Sequence, residues 1–302
     1  MKKTFFSTMI IAFIFLIGML PLFVDVMALS VILSAFIFTY YTSKEGFVKG
    51  FLVLLILFGT AFVVKGIYAA AIFGVMLIPF LLVGNLIFNR RSIGQILTVG
   101  TLSEAIILGL YTKHLSVSAG VEPYELLFGK NIAESVDFLK EAGQMDAELM
   151  KNMQVALDAM TDVLQTMLPF FFILTSLVFI YIVFTCVRFL LKKQGIDMEC
   201  FPYFHELWLP TSVSNIFIIL FIFTLFAENS PVLINVVAIM FVLHIFCGLA
   251  VICSFLRRKS IPSGVQVIIC AFILVLSSFF GGIVSSILCC LGMSSASRSI
   301  RK

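Results

Sequence analysis

Charge is what this sequence has least of. Asp, Glu, Lys and Arg make up 12% of its 302 residues, whereas 61% are hydrophobic. That much apolar surface exceeds what a water-soluble core of this length buries, which excludes an ordinary soluble protein and makes lipid the solvent. No Pro/Ser-rich linker, low-complexity tract or internal repeat divides the chain, so it reads as a single membrane domain over residues 1–302. The seven Cys include no CxxC pair and fall in or beside apolar runs. Thiols there behave as small hydrophobes, and neither a metal nor a disulfide is expected. The net charge of +4 comes mostly from Lys and Arg flanking apolar runs, where they anchor helix ends, and this excludes nucleic acid as a partner. G-x-S-x-G, P-loop and paired-carboxylate patterns are also missing, so neither enzymatic activity nor a cofactor is expected.

What the sequence does have is long apolar runs, and their flanking charges count the crossings. "MKKTFFSTMIIAFIFLIGML" has the basic start and apolar run of a signal peptide but no small-residue cleavage site, so it is expected to remain as a first helix. The run from Phe5 to Tyr41 is too long for one crossing, and Pro21 and Asp25 break it into two. Phe47 to Phe88 supplies two more, turning at Lys65 and Gly66, and a fifth runs from Ile93 to Tyr111. Residues 112–166 are the one long water-soluble stretch and are expected outside the cell as a helical insertion. Within it Leu149, Met153, Ala156, Met160, Val163 and Met167 form an apolar stripe at helical spacing, expected to pack on the bundle. Span six covers Met167 to Leu191, with Pro169 in its first turns. Span seven covers Pro210 to Glu228 and span eight Pro231 to Leu256. Basic clusters at Lys2, Lys44, Arg90, Lys192 and Arg257 then share the cytoplasmic side, with the N-terminus. Pro262 to Leu291 is broken by "SSFFGG" into pieces too short to cross, and is expected to be re-entrant or a kinked ninth helix. The fold class is all-α: a polytopic transmembrane helical bundle of eight spans plus this C-terminal segment.

The stretch "FPYFHELWLP", residues 201–210, holds the only Trp of the chain. "HELWL" begins like HExxH but has Leu209 where the second metal-binding His must stand, so metal chemistry is not expected. Phe204 and Trp208 recur at helical spacing with Phe201 and Leu207. Together with Tyr203 and His205 they suit an interfacial hinge with a docking role.

Several segments resemble one family. "GNLIFNRRS", a helix opening "LPFFF" and closing "VRFLLKKQGI", then "FPYFHELWLP" and the tail "LGMSSASRSIRK" are similar to the YybS-like family of bacterial membrane proteins. The resemblance covers nearly the whole chain and implies a multi-pass protein of the bacterial inner membrane. It also implies a distant likeness to the substrate-binding subunits of energy-coupling-factor transporters, which capture a small molecule and dock on a partner membrane subunit. The chain departs from those subunits in its first helix, where Ala12 and Gly18 are too far apart for their small-xxx-small docking pattern. No binding residue is carried over.

Polar groups inside apolar runs are therefore the candidate solute-binding residues. Glu104 lies mid-span, where an ionised carboxylate costs about 2.5–3.5 kcal/mol unless neutralised. His244 is also mid-span, and Asn85, Asn215 and Asn235 offer amides that bond across helices. Asp25 and Lys65 fall at outer turns of neighbouring hairpins and form a second set, suited to closing the helix ends or holding a zwitterion. The leading expectation is a protein that binds or helps move a small solute; the alternative is a non-transporting scaffold or partner subunit. The expected partners are the lipid bilayer, a small-molecule solute and another membrane protein.

Overall fold

The computed structural model describes residues 27–129, 147–198, 204–224, 226, 230–279 and 282–296. Within them the fold is all-α, with eight α-helices, a π turn at Glu125–Gly129 and a 3-10 turn at Phe204–Glu206. Asp25, Tyr203 and the first expected span lie outside the described residues, as does the side chain of Lys65. The chain divides into two compact units, Met1–Cys200 and Phe201–Lys302.

The first unit begins with α1 (Met27–Glu45) and α2 (Phe47–Phe88), joined by the single residue Gly46. Gly46 has φ 86° and ψ 175°, a conformation essentially reserved for glycine. Gly66, at φ 83° and ψ 176°, repeats it inside α2. There the helix folds back on itself, so that Phe47–Val63 and Gly66–Phe88 lie side by side. A Cβ on Gly74 would sit 3.1 Å from the Phe58 ring, and one on Gly50 would sit 2.9 Å from Leu81. Both Gly50 and Gly84 press on Thr42 of α1, 2.6 Å from where their Cβ atoms would be. Glycines thus let three helices meet around one threonine. The space around Gly66 is open, so Gly66→Ala isolates the backbone term. It is expected to destabilise the protein by about 1–3 kcal/mol, read as a lower melting temperature of the purified protein with helix content unchanged.

Two longer helices complete the first unit, α3 (Ile93–Ala119) and α4 (Ala147–Lys193). Ser92 caps α3, its hydroxyl accepting from Gln95 N–H at 3.4 Å. Gly120 ends α3 in the left-handed conformation. The structure departs from the sequence reading at α4, where the striped helix of the insertion and the sixth span are one continuous helix. Pro169 lies inside it, not in a first turn. A single Pro removes one intrahelical donor, and no other breaker stands between Ala147 and Lys193 to stop the helix. The stripe residues Ala156 and Val163 are exposed.

The second unit holds α5 (Thr211–Thr224), α6 (Pro231–Arg258), α7 (Ser263–Phe279) and α8 (Gly282–Ala296). Ser230 caps α6 with Pro231 at its first position. The apolar C-terminal segment forms two helices, α7 and α8, on either side of residues 280–281. α8 runs antiparallel to α6 at backbone contact. A Cβ on Gly248 would fall 2.0 Å from the Leu288 carbonyl oxygen, and one on Gly292 1.9 Å from that of His244. Beside this crossing, Leu249, Cys253, Cys270 and Leu288 form a small core, with the two sulfur atoms 3.0 Å apart.

Four helical stretches among the described residues are long and apolar enough to cross a membrane: Gly66–Phe88, Ile93–Ala119, Thr161–Lys193 and Pro231–Arg258. Phe47–Val63, Thr211–Thr224, Ser263–Ser277 and Gly282–Ser294 are apolar but shorter. Large side chains such as Val63, Ile106, Ile182 and Val232 are more than half exposed, as lipid-facing residues are when lipid is the solvent.

Candidate functional site

The register of α3 against α4 is fixed at two glycines. A Cβ on Gly100 would lie 2.8 Å from Ile180, and one on Gly109 would lie 3.5 Å from Phe172. The helices are therefore antiparallel, and four residues from the first contact Glu104 of α3 stands at the level of Ser176 of α4. Four residues is one helical turn, so both point into the same seam. Thr101, one turn back from Glu104, shares it. Gly100 also lies 2.7 Å, by the same measure, from Val83 of α2. One turn before Val83 is Pro79, buried and inside its helix. Lacking an N–H, Pro79 leaves the Val75 carbonyl without its intrahelical donor near this level.

All three polar side chains are buried, with Glu104 7%, Thr101 6% and Ser176 1% exposed. None is satisfied, since Glu104 Oε2, Thr101 Oγ1 and Ser176 Oγ have no hydrogen-bond partner. Ser34 Oγ and Thr42 Oγ1 of α1 also lack a partner, whereas other hydroxyls of the first unit bond their own backbone. Ser103 Oγ donates to the Val99 carbonyl at 2.7 Å, and Thr39 Oγ1 to that of Ala35 at 2.7 Å. Burying such groups unpaired costs about 1–3 kcal/mol each. Three within one turn of a helix seam, one of them a carboxyl group, leave hydrogen-bonding capacity unused inside the first unit.

His244 belongs to the second unit and differs in kind. It is fully buried and stacked on Phe217, with centroids 4.8 Å apart. Its Nδ1 is 2.7 Å from the Met240 carbonyl oxygen and its Nε2 3.0 Å from Ser214 Oγ. A carbonyl only accepts, so Nδ1 carries the proton, and in the neutral ring Nε2 accepts from the serine. Both ring nitrogens are used, and the group holds α5 to α6.

The amides are placed at helix ends. Asn85 Oδ1 accepts from Asn89 Nδ2 at 3.0 Å in the last turn of α2. Asn235 Nδ2 donates to the Pro231 carbonyl at 2.7 Å in the first turn of α6. In the 201–210 stretch His205 is hydrogen-bonded to the Arg257 guanidinium and lies 3.7 Å from the Glu206 carboxylate. The 3-10 turn is thereby tied to the end of α6, with Phe204 38% and Trp208 53% exposed. Glu104 and His244 thus fall in separate units. Thr101 and Ser176 were not singled out from sequence, because which hydroxyls lose their backbone partner depends on the register of a distant helix.

The family model described as predicted membrane protein (DUF2232) matches residues 8–291. The chain belongs to that family. The match spans both compact units, which makes this a multi-pass membrane protein whose context is the lipid bilayer. Neither curated proteins nor solved structures give a match.

Proposed function

We propose that this protein binds a small solute within the membrane and helps move it, performing no chemistry on it. One observation carries the reading: the buried Glu104 carboxyl group, unpartnered at Oε2, on a seam whose Thr101 and Ser176 hydroxyls also lack partners. An acceptor-rich site without a basic group of its own selects a solute bearing an ammonium, a metal cation or several hydroxyl donors. Asn235 and His244 are structural groups of the second unit in this reading, because their hydrogen bonds close on their own helix or its neighbour.

The finer features belong to the same proposal. They are eight spans with the N-terminus in the cytoplasm, a bacterial inner membrane, YybS-like kinship, and a capture role like that of energy-coupling-factor subunits. Asp25 and Lys65 would serve as outer closing groups. The rival reading is a scaffold that docks other proteins through the exposed Trp208 and Phe204.

The test is a melting-temperature screen of purified protein against amines, alkali cations and polyols. A solute that stabilises the wild type but not Glu104→Gln supports the proposal; at a hundred times its dissociation constant the stabilisation is about 2.7 kcal/mol. No stabilising solute, or one that stabilises Glu104→Gln equally, overturns it.

A further inference from the structure

The seam that holds Glu104 is pinched on both sides of it. Gly100 meets Ile180 four residues before it, and Gly109 meets Phe172 five residues after it. α3 and α4 therefore touch at two points about 13.5 Å apart along the helix. Helices in contact at both points leave room between them for an ion or a water molecule, whereas organic ligands occupy pockets of about 300–1,000 Å³.

The unused polar atoms at this level are all oxygens. Glu104 Oε2, Thr101 Oγ1 and Ser176 Oγ lack partners, and the Val75 carbonyl lacks its helical donor because Pro79 has no N–H. Oxygen ligands of this kind suit hard cations and not the softer transition metals. The set contains one carboxyl group, and among the described residues no three His, Cys, Asp or Glu side chains converge, which leaves a divalent ion short of negative charge. Nor does the protein supply its own cation, since the buried described residues include no Lys or Arg.

We infer that the solute bound in this seam is a small monovalent alkali cation, sodium, held by Glu104, Thr101, Ser176 and the freed Val75 carbonyl; this rests on the solute-binding reading and names its solute. One positive charge cancels the one negative charge of the carboxylate, so neither stays uncompensated inside the membrane. Thr101 and Glu104, one turn apart on α3, hold the ion from one helix, Ser176 closes on it from α4 and Val75 from α2. Backbone carbonyls freed where a membrane helix is interrupted serve as sodium ligands in the same manner.

The experiment is thermal melting of the full chain in detergent with sodium, potassium or choline chloride at one ionic strength, together with equilibrium binding of radioactive sodium. Sodium is expected to raise the melting temperature above that in choline and to bind as a single ion per chain. Glu104→Gln should abolish both effects. Ser176→Ala and Thr101→Val should each weaken sodium roughly fivefold, the worth of one hydrogen-bonding oxygen. Ser103→Ala is the control, because that hydroxyl is already bonded to the Val99 carbonyl, and its sodium affinity should match the wild type. Pro79→Ala separates a ligand role from a structural one. It restores an N–H to the Val75 carbonyl and removes a helix breaker, so this variant should melt higher without sodium yet bind sodium more weakly. If sodium stabilises no better than choline while an amine or polyol stabilises the wild type and not Glu104→Gln, the alkali cation is overturned and solute binding stands. If nothing stabilises the wild type over Glu104→Gln, both fall. Potassium binding as tightly as sodium would overturn sodium as the occupant.

Discussion

Gly292→Ala is expected to unfold or loosen the second unit, lowering stability by about 3 kcal/mol, the upper end for forced overpacking. The added methyl would sit 1.9 Å from the His244 carbonyl oxygen and 3.1 Å from Gly248 N, all backbone. No rotamer relieves it. The two helices must part until the first distance reaches the 3.4 Å of an ordinary contact, and the shift passes to Leu288 and Cys253 in the small core beside them. Gly248→Ala meets the Leu288 carbonyl at 2.0 Å and should behave alike. Gly264→Ala is the control, because a Cβ there meets nothing within 4 Å and the position lies in the first turn of α7, so its melting temperature should stay near that of the wild type. Thermal melting in detergent checks the set, and a Gly292→Ala protein that melts with the wild type would show that α6 and α8 do not touch.

Glu104→Leu is expected to do the reverse, raising stability by about 1–3 kcal/mol while removing solute binding. The figure is the cost of burying a polar group without a partner, which Leu lacks. Leu also removes the unpartnered Oε2. Evolved proteins hold such local destabilisation where function needs it. A Glu104→Leu protein that melts well below the wild type would instead mean that the carboxyl group is satisfied and structural. Thermal melting with and without the solute separates these outcomes.

Much of the architecture was legible because membranes punish exceptions. Long apolar runs, the Lys65–Gly66 turn and the polar Glu104 stand out against lipid-compatible sequence without knowledge of any contact. The site around Glu104 was only one-third legible. Thr101 and Ser176 look like other helical hydroxyls until Gly100 meets Ile180 and Gly109 meets Phe172, a register set by side-chain shape across two helices. The bond that Asn85 makes was also not legible. Its partner, Asn89, is one turn ahead in the same helix, and a local bond needs no neighbouring helix to satisfy it. The continuity of α4 through Pro169 was hidden because Pro is favoured in a first turn and costly in a helix interior, so it reads as a start. The close crossing of Gly248 and Gly292 joins residues distant along the chain, and small residues have no apolar periodicity to announce them.

The corners at Gly46 and Gly66 bear on how the chain assembles in time. Because a single residue links each helix to the next, the partners that meet around Thr42 are already neighbours when they leave the ribosome. Little loop entropy is lost in bringing them together. A nascent chain that has reached Ser92 carries this three-helix corner whole, so it can form and wait in the bilayer as a template, with α3 and then α4 docking on it as synthesis proceeds.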